Sequence, residues 1–287
     1  MHKLIGDRQF YRKVLYITVP IMIQNGITNF VNMLDNIMVG QVGTEQMSGV
    51  AVVNQLMFVF NICIFGAVAG AGILGAQFYG SGNHEGVRHT FRFKLFCCLG
   101  ISVLGLLIFR GQGENLIRMY LHEGSDVGDI EATFTYGSQY LTLMMAGLIP
   151  FSLVQMYSGT LRETGETMMP MIAGIAAVAV NMVFNYILIF GKLGAPELGV
   201  RGAAIATVLS RFVELFIIAF WTHTHKEKNP FIAGVYRSLH VPGPLARQIL
   251  VTGTPLLINE ALWSGGMATI AQCYSVRGLA VVAGINI

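Results

Sequence analysis

Apolar residues in this chain do not alternate with polar ones; they run in long blocks. Seven stretches, at about 14–39, 47–78, 93–110, 133–157, 168–190, 201–222 and 248–272, are rich in Leu, Ile, Val, Phe, Met, Ala and Gly, and an eighth opens near Leu279. A helix needs roughly 20 such residues to cross a hydrocarbon core, so the blocks predict membrane-spanning helices. Alternating ten-residue segments, the mark of a membrane barrel, are missing. Turn-forming runs separate the blocks: Gly80-Ser81-Gly82-Asn83, Gly111-Gln112-Gly113, Gly191-Lys192-Leu193-Gly194 and Pro242-Gly243-Pro244. The longest polar stretch, Thr222 to Arg247, reads as a linker between two bundles. The pattern predicts an all-α membrane protein with a transmembrane lobe over 1–222, a linker over 223–247 and the start of a second lobe over 248–287.

Composition sharpens this. Only 11% of the 287 residues are charged and 54% are hydrophobic, against about 25% charged in ordinary soluble domains. A soluble enzyme, a nucleic-acid binder and a disordered chain are excluded. No HExxH, GxSxG or Walker sequence occurs, so no hydrolytic chemistry and no cofactor is expected. Cys63, Cys97, Cys98 and Cys273 lie in apolar blocks without metal-site spacing and read as small hydrophobes.

The basic residues are distributed unevenly. Twelve of 18 fall on one side of the predicted helices: Lys3, Arg8, Arg12 and Lys13, then Arg88, Arg92 and Lys94, then Arg162, then Lys226, Lys228, Arg237 and Arg247. Five fall on the other, and Arg211 alone reads as lying well inside a helix. Positive charge marks the cytoplasmic side, which predicts a cytoplasmic N-terminus and linker in the cell (plasma or inner) membrane. On this reading His84 and His89 are solvated loop histidines, and Glu163 and Glu166 form a loop ion pair with Arg162.

An internal repeat shapes the whole chain. Arg12-Lys13-Val14-Leu15 followed by Pro20 is echoed by Arg247-Gln248-Ile249-Leu250 followed by Pro255, and Gly43 and Gly49 match Gly278 and Gly284 at the same offset. The stretch beginning near Arg247 therefore starts a second copy of what began at the N-terminus. The copies are related as parallel repeats, and the missing remainder of a C-terminal lobe is an expected partner.

Polar residues inside the blocks carry the candidate chemistry. In the first stretch Gln24, Asn25, Thr28, Asn29, Asn32, Asp35 and Asn36 fall within an arc of roughly 140°, a wet face on an otherwise apolar helix. A carboxylate at membrane depth costs roughly 2.5–3.5 kcal/mol, which points Asp35 toward a bundle interior. Asn181 and Asn185 are an i, i+4 pair in the fifth stretch, and Thr207 stands in a small apolar run of the sixth. A carboxylate, two amides and a hydroxyl suit an alkali cation such as Na⁺, or a proton held on Asp35, or polar contacts that only join helices. Glu260, five residues after Pro255, is a second intramembrane carboxylate. Pro20 and Pro255 are candidate hinges. Gln24, Thr28, Asn32, Gln55, Met33 and Met156 are candidate walls of a substrate cavity.

Around these positions the sequence resembles the MATE family of multidrug and toxic compound extrusion transporters. The similar stretches are Leu34 to Gly43 (LDNIMVGQVG), Gly72 to Gly80 (GILGAQFYG), Leu161 to Gly165 (LRETG), Asn181 to Gly191 (NMVFNYILIFG) and Leu198 to Thr207 (LGVRGAAIAT). The resemblance implies a twelve-helix, two-lobe antiporter, of which this chain holds the six-helix N-lobe, helix seven and the start of helix eight. It implies exchange of inward Na⁺ or H⁺ for outward small-molecule organic cations across a lipid bilayer, with no nucleic-acid partner. Asp35, Asn181, Asn185 and Thr207 match the family's N-lobe cation positions, and Glu260 resembles a C-lobe carboxylate. A lipid-linked oligosaccharide flippase of the same superfamily, a channel, and a fragment that does not transport are the alternative readings.

Overall fold

The computed structural model describes residues 7–121 and 129–275. Among the described residues every regular element is helical. The order is α1 (Arg8–Gly40), α2 (Thr44–Gly80), α3 (His84–Tyr120), α4 (Ile130–Met144), α5 (Leu148–Glu163), α6 (Met168–Ile189), α7 (Val200–Thr224) and α8 (Gly243–Ser275). A single 3₁₀ turn, Met145–Gly147, joins α4 to α5, so the two form one span. Six helices are long and apolar enough to cross a membrane: α1, α2, α3, α4 with α5, α6 and α7. The eighth predicted stretch and the glycine matches at 278 and 284 lie outside the described residues.

Local chemistry sets the helix starts. Asp7 accepts from the Phe10 amide at 2.7 Å, Asn83 from the Gly86 amide at 2.9 Å, and Asp129 from the amides of Glu131 and Ala132. Each carboxylate or carboxamide satisfies donors that the first helical turn leaves free. Both repeat prolines lie inside helices. Pro20 falls twelve residues after the start of α1 and Pro255 twelve after the start of α8. α8 packs on α2 through two glycines: a Cβ on Gly70 would stand 2.6 Å from the Gly253 Cα. Small residues are what allow helix backbones to approach this closely in a membrane bundle.

Three sequence expectations are corrected. Gly111-Gln112-Gly113 does not break the chain, since α3 runs through it. Glycine costs a helix only about 1 kcal/mol, and here it makes room: a Cβ on Gly113 would meet the Leu141 side chain of α4 at 2.8 Å. The polar stretch after α7, read as a linker, is packed onto the bundle. Phe231, Ile232 and Val235 are buried in the core, and Arg88 and Arg92 of α3 hold its carbonyls. Cys98 is buried as expected of a small hydrophobe, whereas Cys63 faces outward.

The third correction concerns charge. Arg88, Arg92 and Lys94, with His84 and His89, belong to α3 and not to a loop. Lys94 is wholly buried, and its Nζ donates to Glu163 Oε1 and Oε2 at 2.6 and 2.5 Å and to Thr160 Oγ1 at 3.2 Å. Glu163 therefore pairs across the bundle with Lys94. Arg162, its expected partner, reaches Gln24 Oε1 at 2.7 Å instead. Gly72 and Gly75 of α2 leave the space that the Glu163 carboxylate fills, since a Cβ on either would collide with it.

Removing one member of a buried pair leaves an uncompensated charge and costs about 3–5 kcal/mol, while replacing both by apolar groups is close to neutral. Lys94→Met should lower the thermal unfolding temperature of the protein in detergent sharply. The double variant Lys94→Met, Glu163→Leu should recover most of the loss.

Candidate functional site

A buried polar cluster forms where α1, α6 and α7 meet. Asn181 and Asn185 project from one face of α6, one turn apart, and both are buried. Gly202 brings the start of α7 against the end of α6; a Cβ there would stand 2.6 Å from the Leu188 carbonyl. That approach sets Thr207 beside Asn181. α1 packs along α6 and carries Asp35 to the same point.

Hydrogen bonds link the four side chains. Asn185 Nδ2 donates to Asp35 Oδ1 at 2.6 Å. The Asn181 carboxamide has two possible orientations, of which the second is the one that suits an ionised Asp35. One way, it accepts from Asn185 Nδ2 at 3.1 Å and donates to Thr207 Oγ1 at 3.3 Å. Turned over, its Nδ2 lies 3.0 Å from both Asp35 oxygens while its oxygen accepts from Thr207 Oγ1 at 3.3 Å. Amides both donate and accept, so this ladder can answer an ionised or a protonated carboxyl by turning one carboxamide over. Asn185 Oδ1 is buried and has no hydrogen-bond partner. A carboxylate with surplus amide and hydroxyl oxygens fits a hard cation such as Na⁺. Among the described residues no group of three His, Cys, Asp or Glu side chains could hold a softer metal.

Asp35 stands between two cavities. The larger, of about 400 Å³, opens between α1, α2, α4, α5 and α7, and Asn36, Asn54, Asn61, Tyr140 and Phe151 help to line it. The smaller, of about 70 Å³, lies between α1, α6 and α7 and includes Thr28, Asn181, Ser210 and Glu214. Asp35, Thr207 and Arg211 face both. Arg211 Nη1 donates to Glu214 Oε2 at 2.7 Å, and its guanidinium lies 5.7 Å from the Phe151 ring centre.

Among the sequence candidates, Asp35, Asn181, Asn185 and Thr207 come together and Thr28 joins the small cavity. Four others line neither cavity. Gln24 is held by Arg162, Gln55 and Met33 are exposed, and Met156 is fully buried in the core. On α2 the cavity is met instead by Asn54, which shares a face with Asn61, seven residues on. Glu260 on α8 lines neither cavity, and the side chain of Asn32 lies outside the described residues. The sequence reading missed Glu214, which is buried, and Tyr140. The Arg211–Glu214 spacing of three residues was the available signal.

The pair gives an asymmetric prediction. Only 5% of the Glu214 side chain is exposed against 31% of Arg211. Arg211→Met therefore leaves a carboxylate buried, whereas Glu214→Gln leaves a guanidinium that still faces the cavities. Arg211→Met should lower the unfolding temperature more, by the equivalent of about 2 kcal/mol or above. Paired melting curves in one detergent check the order.

Comparisons with known proteins place this geometry. The MatE family model matches residues 20–187. A probable multidrug resistance protein NorM of Thermotoga maritima is 30% identical over 278 residues, which is 96% of this chain and 57% of that protein. A Synechocystis protein with the same name is 25% identical over 95% of the chain and 57% of its own length. The chain thus spans a little over half the length of these curated relatives. In fold it is similar to the crystal structure of a MATE protein in the bent conformation, with a TM-score of 0.81 and 22% identity, over 96% of this chain and 59% of that one. The chain is a multi-pass membrane protein and belongs to the MatE family, whose members are transporters and not enzymes.

Proposed function

We propose that this chain forms the N-terminal lobe, and the beginning of the C-terminal lobe, of a cation-coupled antiporter that exports small organic cations, drugs among them. The lobe covers 1–222, the docked connection 223–247 and the start of the second lobe 248–287. One observation carries the reading: Asp35 stands at the junction of two cavities within a ladder of amide and hydroxyl groups. The names of the NorM relatives support the substrate class. The uneven Lys and Arg distribution supports a cytoplasmic N-terminus in the cell membrane.

The mechanism follows from charge. With Asp35 ionised, two carboxylates, Asp35 and Glu214, and one guanidinium, Arg211, line the two cavities taken together, and their junction favours a cationic guest. When Na⁺ or a proton arrives at Asp35, one negative charge is cancelled and that preference weakens. Proline lacks the amide that would tie Pro20 to the preceding turn, so α1 can bend there as the site neutralises. Bending would draw Asp35 toward α6 and narrow the larger cavity. Coupling is reciprocal: if the ion lowers drug affinity by some factor, the drug lowers ion affinity by the same factor. Among the described residues Arg211 is the one basic side chain lining either cavity, which argues against an oligosaccharide flippase, since that needs a more strongly cationic cavity.

The test is ion-driven export from proteoliposomes carrying the two-lobe transporter that includes this chain. Asp35→Asn should abolish drug movement under either a Na⁺ or a pH gradient imposed alone. Whichever gradient drives the unaltered protein is the coupling ion. Export that survives the substitution overturns the proposal.

A further inference from the structure

At the end of the bundle where α3 begins and α7 ends, the connection between α7 and α8 borders a third cavity, of about 660 Å³, that the transport reading does not use. Arg88, His89 and Arg92 line it from the first turns of α3, and Lys226, Arg237 and His240 from the connection. Glu85 is the one acidic residue in its lining, and its side chain is 75% exposed while it reaches toward His89 at 3.7 Å. Four permanent cations thus share one cavity with a single, mostly solvated carboxylate. None of the four forms an ion pair among the described residues.

The cavity is built and not a chance meeting of surface side chains. Phe231, Ile232 and Val235 pin the connection into the core, with Phe231 against Phe91 at 5.7 Å between ring centres. The Tyr157 and Tyr236 hydroxyls bond at 2.8 Å, and His223 stacks on Tyr236. Arg92, itself buried, donates to the carbonyls of Val235, Gly234 and His240 at 2.8, 3.1 and 3.3 Å. Neutral carbonyls anchor its guanidinium without cancelling the charge. Arg88 spends only Nε, on the Phe231 carbonyl at 3.3 Å, so its two terminal nitrogens keep their donors. Fixed donors of one sign in a preorganised hollow are what a phosphate group requires.

The same helix face then changes character. At about 100° per residue, Arg88, Arg92, Phe96, Leu99, Val103 and Leu107 stay within an arc of about 100°. The last four are exposed apolar side chains. A cationic hollow at the end of a membrane-spanning helix therefore opens onto an outward apolar stripe along that helix. That is the order of parts in a phospholipid, headgroup above acyl chain.

We propose that this cavity binds a phosphate-type anion, supplied by the headgroup of an anionic phospholipid whose acyl chain lies along α3. Bound there, the lipid would join α3 to the connection that leads into α8, where the second lobe begins. Such a site would make the packing of that connection depend on membrane composition.

The experiment uses the purified protein reconstituted with equal parts phosphatidylcholine and phosphatidylglycerol, then stripped with mild detergent. Mass spectrometry measures which lipids stay bound. Phosphatidylglycerol should be retained in preference. Lys226→Gln with Arg237→Gln, both exposed and outside any buried contact, should lower its retention by about fivefold for each cation removed. The charge-keeping pair Lys226→Arg with Arg237→Lys should retain it. Melting curves in phosphatidylcholine alone should match among all three proteins, showing that the loss is not unfolding. Equal retention of both lipids, or retention unchanged in the glutamine variant, overturns the proposal. Added inorganic phosphate that displaces no lipid but binds and stabilises the protein by itself overturns the lipid assignment and identifies a soluble phosphate compound as the ligand.

Discussion

A charge inside a membrane must be answered by the protein, because the hydrocarbon around it offers nothing. The structure meets that demand at three places. Lys94 and Glu163 cancel each other in the core, with Thr160 taking a further donor. Arg211 and Glu214 do the same at a cavity wall. Asp35 has no such partner: its nearest bonds come from neutral amides. The first two arrangements are closed. The third is balanced between two charge states, and an exchangeable ion can decide between them.

What keeps Asp35 in that position is the packing of α6 and α7. Two asparagines one turn apart supply the ladder, and Gly202 brings the helices close enough for Thr207 to complete it. Glycine recurs at other close approaches in the bundle. Gly72 and Gly75 make room for the Glu163 carboxylate, and Gly70 meets Gly253 where α8 joins the bundle. The stiffness needed to hold buried polar groups in register comes from these close approaches, since apolar side chains alone gain little by leaving lipid for one another.

Much of this was legible in the sequence. Block length pointed to the helices, and the proline repeat matched α1 to α8, whose prolines each fall twelve residues after the helix start. The polar arc of the first helix pointed to Asp35, and the i, i+4 asparagines to its ladder. Other features were hidden for physical reasons. Lys94 and Arg92 read as loop charges because hydropathy cannot see a partner contributed by a distant helix; Glu163 lies 69 residues from Lys94. Gly111-Gln112-Gly113 read as a turn because glycine breaks exposed helices but serves packed ones. Met33, Gln55 and Met156 were chosen by residue type, and type does not say which way a helix is rotated. Glu214 escaped notice beside Arg211, although a carboxylate three residues from an intramembrane arginine is the pairing that burial demands.

Infrared difference spectroscopy of the purified protein in lipid tests the central idea most directly, since it sees the protonated carboxyl itself. Raising the pH, or adding Na⁺ at fixed pH, should remove a protonated-carboxyl band in the unaltered protein. That band should be missing in Asp35→Asn and shifted in frequency in Asn185→Ala, which loses the 2.6 Å hydrogen bond. The same ion-dependent band persisting in Asp35→Asn would place the exchangeable charge elsewhere and contradict the account.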